Sequence, residues 1–188
     1  DININNSLLE KERKKNKKIR IGYFSANFCK HPVMILMARI FELHDQSKFE
    51  VFAYSFGPHK EDEMRLRAEA AVDMFKEVHN LSDLDIALLA RKDKIDIAID
   101  LKGYTEDSRP GIFAYRASPI QISYLGYPGT MGARFIDYIV ADKRLIPPEN
   151  QKNFTEKQIY LPNTYMPTDN KREISARYIS KKEFNLPE

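Results

Sequence analysis

Residues 19–56 read IRIGYFSANFCKHPVMILMARIFELHDQSKFEVFAYSF, a stretch that alternates between two kinds of apolar pattern. The opening IRIGYFS is a short apolar run with β-favouring side chains, which is typical of a buried strand. The longer VMILMARIFELH predicts a helix, and FEVFAYSF predicts a second strand. Because a strand, a helix and a strand in this order pack as a right-handed crossover, we expect the two strands to be parallel.

The same alternation continues toward the C-terminus. Helices are predicted at EDEMRLRAEAAV and after Ser82, a favourable N-cap with Asp85 at the third helical position. A helical turn is predicted at PGIFAYR, where Pro110 opens it. Further strands are predicted at MFKEV, IDIAIDL, PIQISYL, DYIVAD and KQIYLP. The sequence therefore predicts an α/β fold, a Rossmann-like open and mainly parallel sheet with helices on both faces.

The length of the chain and the composition of its two ends predict one domain with irregular termini. A chain of 188 residues can build one full-sized core but not two large ones. Residues 1–17, with most of the basic cluster KERKKNKK, are interpreted as a linker or helix end leading from a missing N-terminal region. Residues 18–162 are the predicted Rossmann-like lobe. Residues 163–188 carry prolines and charges without a long periodic segment, which is typical of a linker toward another domain.

Composition and charge exclude several classes of protein. The surplus of 30 basic over 27 acidic residues gives a net charge of +3, too small to indicate nucleic-acid binding without a clustered basic face. No apolar run is long enough to span a bilayer, and the opening DININNSLLE lacks a signal-peptide pattern, so no membrane partner is expected. The single cysteine, Cys29, cannot form an internal disulfide, which favours a reducing compartment, the cytoplasm.

Three loops that follow predicted strands contain glycine, proline, histidine, tyrosine or arginine, where a plain connection would need only a few polar residues. They are SANFCKHPV, KGYTEDSRPG and YLGYPGTMG, and the last has three glycines and a proline within nine residues. A tight turn would also explain those glycines, because glycine permits positive φ and proline presets its own φ. Since ligands of open α/β sheets bind beyond the carboxyl ends of the strands, we expect the three loops to meet at one edge.

Two side chains in these loops are candidates for chemistry. His31 follows a strand and precedes a helix, and near a helix N-terminus its imidazole tends to stay neutral. A lone histidine in such a place is also often structural. Arg109 could hold an anionic group with both arms of its guanidinium, or it could simply pair with Glu106 or Asp107.

Several cofactor sites are excluded by the motifs. Asp83 and Asp85 resemble a metal-binding DxD motif, but they fall at a helix start, where acidic residues favour the helix dipole. No cysteine and histidine set has zinc spacing and no Walker loop occurs. The first strand is followed by FSANF rather than by a dinucleotide-binding fingerprint. No metal and no cofactor are therefore expected.

Five motifs in order resemble one known family. IGYFSANFCKHPV, IDIAIDLKGYTEDSR, RASPIQISYLGYPGTMG, DYIVAD and QIYLP are similar to the N-terminal catalytic lobe of the protein O-linked N-acetylglucosamine transferases, in particular bacterial homologues. The likeness runs from about Lys18 to Pro162. Because several motifs agree in order and spacing, the resemblance is more specific than any single loop.

The resemblance implies an architecture and an activity. The family has a GT-B architecture, with two Rossmann-like lobes around a cleft and usually tetratricopeptide repeats before them. It implies transfer of N-acetylglucosamine from UDP-N-acetylglucosamine to serine or threonine hydroxyls, with inversion and without an obligatory metal. The implied partners are this donor, a protein or peptide acceptor, and a second catalytic lobe of the same protein, which would hold the UDP moiety and follow residues 163–188.

The resemblance also implies the roles of individual residues. It makes His31 the catalytic candidate, facing the donor sugar and acceptor together with Pro32. The other implied substrate-binding residues lie on the cleft wall and around the sugar: Tyr104, Thr105, Arg109, Leu125, Gly126, Tyr127 and Pro128.

Three departures from the family pattern keep other functions open. Asn27 stands where aspartate is common, and an amide cannot accept a proton; Tyr124 stands where tryptophan is usual, and RASP replaces RPAP. One alternative is a non-catalytic protein-binding or assembly module that uses the same edge. The other is a protein N-glucosyltransferase that uses UDP-glucose and asparagine acceptors. The fragment alone is expected to be inactive, because the second lobe is absent from it.

Overall fold

The computed structural model describes residues 18–174, 176–177 and 180–187, and in these ranges seven strands form one sheet. Every neighbouring pair is parallel, in the order β3-β2-β1-β4-β5-β6-β7. The strands are β1 (Ile19–Ser25), β2 (Phe49–Ser55), β3 (Met74–Glu77), β4 (Ile97–Asp100), β5 (Ile120–Ser123), β6 (Tyr138–Ala141) and β7 (Lys157–Tyr160). The predicted α/β class is therefore confirmed, with an entirely parallel sheet in the described residues.

Helices connect the strands and cover both faces of the sheet. They are α1 (Pro32–Leu43), α2 (Glu63–Ala71), α3 (Asp83–Lys92) and the single turn α4 (Gly111–Ala114). Two 3₁₀ helices follow, at Pro148–Asn153 and Lys181–Phe184. In the described part of the chain, no helix combines the length and the apolar character needed to cross a membrane.

The burial of α1 explains why its sequence forms a helix. Its fully buried residues are Met34, Met37, Ala38 and Phe41, a spacing of three and four that places them on one side. Together with α2 they pack on the first face of the sheet, against residues of β1 and β2. On the second face, α3 and α4 pack against Phe24 and Tyr54, whose rings are stacked 4.5 Å apart.

The predicted cap of α3 is present in an altered form. The Ser82 hydroxyl oxygen accepts a hydrogen bond from the backbone N–H of Asp85 at 3.1 Å, as expected for an N-cap. The Asp85 carboxylate, however, accepts from the Ser82 hydroxyl at 2.6 Å. The shorter aspartate side chain thus bonds to the capping hydroxyl and completes a local pair at the start of the helix.

Residues 163–171, which we call the C-terminal strap, lie against the first face of the sheet. The backbone N–H of Tyr165 donates to the Asp142 carboxylate, and the Tyr165 carbonyl accepts from the Tyr124 hydroxyl, each at 2.8 Å. Further along, Asp169 accepts two hydrogen bonds from the Arg67 guanidinium of α2, at 2.5 and 3.1 Å. The predicted linker at 163–188 therefore begins with a fixed segment. The predicted linker at residues 1–17 lies outside the described residues.

Candidate functional site

The three loops singled out in the sequence follow strands that lie side by side. β4 pairs with β1 on one side and with β5 on the other, so the loops after β1, β4 and β5 leave the same carboxyl edge. The order of the strands along the chain reverses direction between β1 and β4, which makes their loops the switch point of the sheet. The prediction that these loops meet at one edge is confirmed.

The loops after β4 and β5 are packed so closely that only glycine fits between them. A Cβ on Gly126 would lie 2.0 Å from the Leu101 carbonyl oxygen. Gly103 has φ of +56°, and a Cβ there would lie 2.4 Å from the Cβ of Tyr127. Close approach of two backbones therefore explains these glycines, and Gly132 alone keeps open space around it among the glycines described.

The aromatic residues of the two loops form one wall. The rings of Tyr104 and Tyr127 meet edge to face with their centroids 5.7 Å apart. Tyr104 is 51% exposed, and its hydroxyl donates to the Met131 carbonyl at 2.8 Å, which ties the loop after β4 to the loop after β5. Leu125 is buried at φ of +68°, while Pro128 is exposed. This wall thus offers aromatic faces and a proline ring to the solvent side.

Two further predicted residues, Thr105 and Pro32, have local roles. The Thr105 hydroxyl donates to the backbone carbonyl of Lys102 at 2.9 Å, so it holds the turn at the end of β4. Pro32 occupies the first position of α1 and is exposed beside His31. Neither residue is brought into contact with the tyrosine wall by any bond in the described part of the chain.

His31 is the N-cap of α1, and its bonding fixes where the ring carries a proton. Its Nδ1 accepts a hydrogen bond from the backbone N–H of Val33 at 3.1 Å. Burial lowers the pKa of the imidazole, and the positive charges of Lys102 and Lys60 lower that pKa further. The ring is therefore neutral at pH 7, and with Nδ1 accepting, its proton lies on Nε2. His31 thus presents an N–H donor, while its Nδ1 stays engaged in the helix cap.

Arg109 has partners that the sequence did not indicate. Its Nε donates to the Asp83 carboxylate at 2.6 Å, and its second terminal nitrogen donates to the Leu81 carbonyl at 2.7 Å. Neither Glu106 nor Asp107 pairs with it among the described residues. The guanidinium is thus turned toward the start of α3, where it fixes the end of the loop after β4 to that helix.

Lys102 and Asn27 form a pair that the sequence did not predict. Lys102 is only 4% exposed, and its ammonium donates to the Asn27 side-chain carbonyl at 2.5 Å. Burial lowers the pKa of Lys102, whereas the carboxyl groups of Asp107 and Asp100 raise it. A lysine directly after an apolar strand was the available signal for a buried ammonium. The sequence contains no signal for its partner, which lies 75 positions earlier in the chain.

Asp100 is a further buried polar residue at the end of β4. It is 2% exposed, and one of its carboxylate oxygens accepts from the backbone N–H of Lys102 at 2.9 Å. Burial raises the pKa of its carboxyl to about 6, despite the opposing effect of hydrogen bonds to backbone N–H groups. The acid in the otherwise apolar run IDIAIDL was the available signal for it.

Asp100→Asn should therefore stabilise the chain at alkaline pH. The carboxyl group has a higher pKa in the folded state than in the unfolded state, so its contribution is fully present below about pH 4 and is lost as the pH rises through about 6. The difference between the folded and the unfolded pKa corresponds to a change in the free energy of unfolding of about 3 kcal/mol at most. Urea unfolding of the 188-residue chain at pH 4 and pH 8 measures this effect. We expect the free energy of unfolding of the variant, relative to the wild type, to be higher at pH 8 than at pH 4.

Asp142→Asn is the matched control, because Asp142 follows β6 as Asp100 ends β4. Backbone N–H groups of Leu145, Tyr165 and Arg144 lower the pKa of Asp142, so its contribution is present at neutral pH and is lost on acidification. The Asp142 variant should lose stability at both pH values, since the contribution of this carboxylate disappears only as the pH falls below about 4. An Asp100 variant with the same pH dependence would contradict the role of burial at that position.

A groove of about 610 Å³ lies elsewhere, beside the start of α3. It is lined by Ser82, Asp83, Leu84, Gly111, Ala114 and Tyr115. The only carboxylate in this lining is that of Asp83, which already binds Arg109. The groove contains none of the predicted site residues, so the candidate site remains the carboxyl edge of β1, β4 and β5.

Comparison with known proteins gives one consistent family. The sequence profile described as glycosyl transferase family 41 matches residues 5–184. A probable UDP-N-acetylglucosamine–peptide N-acetylglucosaminyltransferase of Arabidopsis thaliana, SEC, is 40% identical, over 84% of this chain and 16% of that protein. The Caenorhabditis elegans UDP-N-acetylglucosamine–peptide N-acetylglucosaminyltransferase is 37% identical, over 79% of this chain and 13% of that protein.

A solved structure agrees with these relatives. A mutant O-GlcNAc transferase of Thermobaculum terrenum matches with a TM-score of 0.77 and 35% identity, over 80% of this chain and 29% of that chain. The present chain thus spans about a sixth of the length of the Arabidopsis relative and under a third of the solved bacterial chain.

Proposed function

Because the chain belongs to glycosyl transferase family 41, we propose that it forms part of an inverting protein O-glycosyltransferase. The reaction moves N-acetylglucosamine from UDP-N-acetylglucosamine to a serine or threonine hydroxyl of a protein. The names of the Arabidopsis and C. elegans relatives support this donor and a peptide acceptor. The observation that carries the proposal is the meeting of the His31, Tyr104 and Tyr127 loops at the switch point of a parallel sheet.

The proposed role of each residue follows from its position and its hydrogen bonds. His31 faces the sugar and the acceptor, where its Nε2–H donates a hydrogen bond and positions an oxygen atom. Leu125, Gly126, Tyr127 and Pro128 surround the sugar, with the glycine allowing the backbone to come close.

The residues after β4 form the other part of the proposed cleft wall. Tyr104 contributes its exposed ring, and Thr105 holds the turn from which that ring projects. Arg109 supports the wall through its bonds to Asp83 and Leu81 rather than by holding an anion. In the transfer, the acceptor oxygen forms a bond to the anomeric carbon while the bond from that carbon to UDP breaks. UDP leaves with the bonding electron pair, and the proton of the acceptor hydroxyl is released to water.

The rest of the proposed enzyme lies beyond this chain. The short coverage of the relatives supports further regions in the same protein. The family resemblance implies that these are a second lobe that binds UDP and tetratricopeptide repeats. No metal or other cofactor is required by the proposal. The single cysteine supports the cytoplasm as the place of action, since nothing in the sequence depends on an oxidised pair.

The 188-residue chain alone should bind UDP-N-acetylglucosamine weakly, with a Kd on the order of 1 mM or weaker, equivalent to about 4 kcal/mol. Departure of the nucleotide develops negative charge that a closed cleft stabilises far better than an open wall. Calorimetric titration of the chain measures this affinity, and a transfer assay on the same sample should show no product. Micromolar binding of UDP would contradict the assignment of the nucleotide site to another lobe.

A test of the full-length protein separates the remaining functions. Asn27 cannot accept a proton, and this favours a binding module as the second candidate. The full-length protein is incubated with UDP-N-acetylglucosamine or UDP-glucose and with peptides that contain serine, threonine or asparagine, and the products are identified by mass spectrometry. We expect N-acetylglucosamine on serine or threonine. Glucose on asparagine would support an N-glucosyltransferase, and peptide binding without any product would support a binding module.

A further inference from the structure

The ammonium of Lys102 bridges the switch point of the sheet. Lys102 follows β4, whereas Asn27 follows β1, and these two strands are neighbours at the place where the strand order reverses. Open α/β sheets have a crevice at such a switch point, and the bond between the two side chains joins the loops there. The lysine that makes this bond is 4% exposed.

This ammonium is not neutralised by its partner. Asn27 is an amide, so it accepts one hydrogen bond but brings no negative charge. Among the residues that the structure describes, no carboxylate forms an ion pair with Lys102, and no side chain or backbone carbonyl accepts from its other two N–H groups. Buried cations are normally paired and buried donors are normally bonded. Lys102 therefore lacks the counter-charge and the acceptors that its burial calls for.

The surroundings of the ammonium add to its positive potential. Lys60 and Lys102 are close enough to lower the pKa of His31, whose Nε2–H is a further donor. The 12-residue helix α1 begins directly after His31, and its N-terminal end carries a partial positive charge. The carboxyl groups of Asp107, Asp100 and Glu106 oppose this potential, because they raise the pKa of Lys102. Within the described residues none of them accepts a hydrogen bond from its ammonium.

We propose that Lys102 and Asn27 form an anion-binding subsite in the crevice between the loops after β1 and β4. It takes a phosphate or a carboxylate group, whose oxygens accept from the two free N–H groups of Lys102. The group could come from the pyrophosphate of a nucleotide-sugar or from an acidic side chain of an acceptor peptide. The subsite does not depend on sugar transfer, because it rests only on the charge and bonding of this crevice.

Titration of the chain with inorganic phosphate at constant ionic strength tests the subsite. Backbone and side-chain NMR signals report the binding position. We expect saturable shifts at Lys102 and His31 with a Kd in the millimolar range, on the order of 1 mM. Lys102→Met should weaken this binding at least about tenfold, whereas Lys92→Met removes the same charge from an exposed lysine and should leave it unchanged.

Asn27→Asp is the decisive second variant, because it adds a carboxylate of the same shape beside the ammonium. The new ion pair should keep the chain folded and should also weaken phosphate binding at least about tenfold. Thermal unfolding checks the fold of both variants, so a destabilised Lys102→Met leaves the test intact. Wild-type phosphate affinity in Asn27→Asp, or shifts that map away from Lys102 and His31, would overturn the subsite.

Competition then identifies the source of the anion. UDP is added to the phosphate-bound chain in one arm, and a serine peptide with flanking aspartates is added in the other, with its asparagine counterpart as the control. Displacement of phosphate by UDP alone assigns the subsite to the donor. Displacement by the acidic peptide but not by its neutral counterpart assigns it to the acceptor. Failure of both to displace phosphate would overturn the assignment of the crevice to the proposed cleft.

Discussion

His31→Ala in the full-length protein should lower kcat by about 10²-fold or more. The ring is neutral, its Nδ1 is bonded to the N–H of Val33, and its Nε2–H is the group left for a substrate oxygen. Removing the ring removes that donor from the transition state. Steady-state kinetics with UDP-N-acetylglucosamine and a serine peptide measure the loss, which should fall mainly on kcat rather than on KM.

His31→Asn separates catalysis from helix capping. Alanine also removes the cap of α1, which costs about 1 kcal/mol, whereas asparagine is among the best N-caps and can accept from Val33 through its side-chain oxygen. The asparagine variant should therefore unfold at nearly the wild-type temperature and still lose turnover about as severely as alanine. Wild-type turnover in the asparagine variant would reduce His31 to a helix cap.

Gly126→Ala should destabilise the chain by about 2 to 3 kcal/mol, because overpacked sites relax only by moving their surroundings. The added Cβ would meet the Leu101 carbonyl oxygen at 2.0 Å. That oxygen belongs to the backbone, and the position of the Cβ is set by the backbone of residue 126, so no rotation of a side chain can relieve the contact. The loop after β5 must move away from the end of β4, which takes Tyr127 away from Tyr104. Urea unfolding of the 188-residue chain measures the stability, and the same variant in the full-length protein should lose transfer activity.

Gly132→Ala provides the comparison within the same loop. Gly132 has φ of +59° but open space around it, so alanine there meets only the backbone preference of an L-residue, about 1 kcal/mol. The wall of Tyr104 and Tyr127 should stay in place, and transfer activity should be nearly unchanged. Equal losses of stability in the two variants would mean that the close contact of Gly126 with Leu101 is not the cause.

Local patterns predicted the elements of this fold, because the information needed for them is local. The apolar spacing of α1 and the N-cap at Ser82 are each contained within a few residues. The prediction of a mainly parallel sheet followed from the alternation of strands and helices, since the handedness rule leaves few other arrangements. All the described strand pairs are in fact parallel. The meeting of the loops after β1, β4 and β5 followed in turn from that topology.

Pairings between distant residues could not be predicted in the same way. Arg109 was expected to hold an anion or to pair with its neighbours, yet its partner is Asp83, 26 positions away. The bond between Lys102 and Asn27 likewise joins residues far apart in the chain. Such partners are chosen by the positions of whole elements, and one sequence contains no pattern that encodes them. The tautomer of His31 also required the position of the Val33 N–H.

The C-terminal strap determines how a mechanical load would enter this molecule. Lys171 and Asp169 are held by Glu42 of α1 and Arg67 of α2, and the strap is attached to the carboxyl edge only further back, at Tyr165. A pull on the chain after residue 171 is therefore borne first by ion pairs on two helices, before it reaches Tyr165. The edge strand β7 is shielded from being peeled off the sheet.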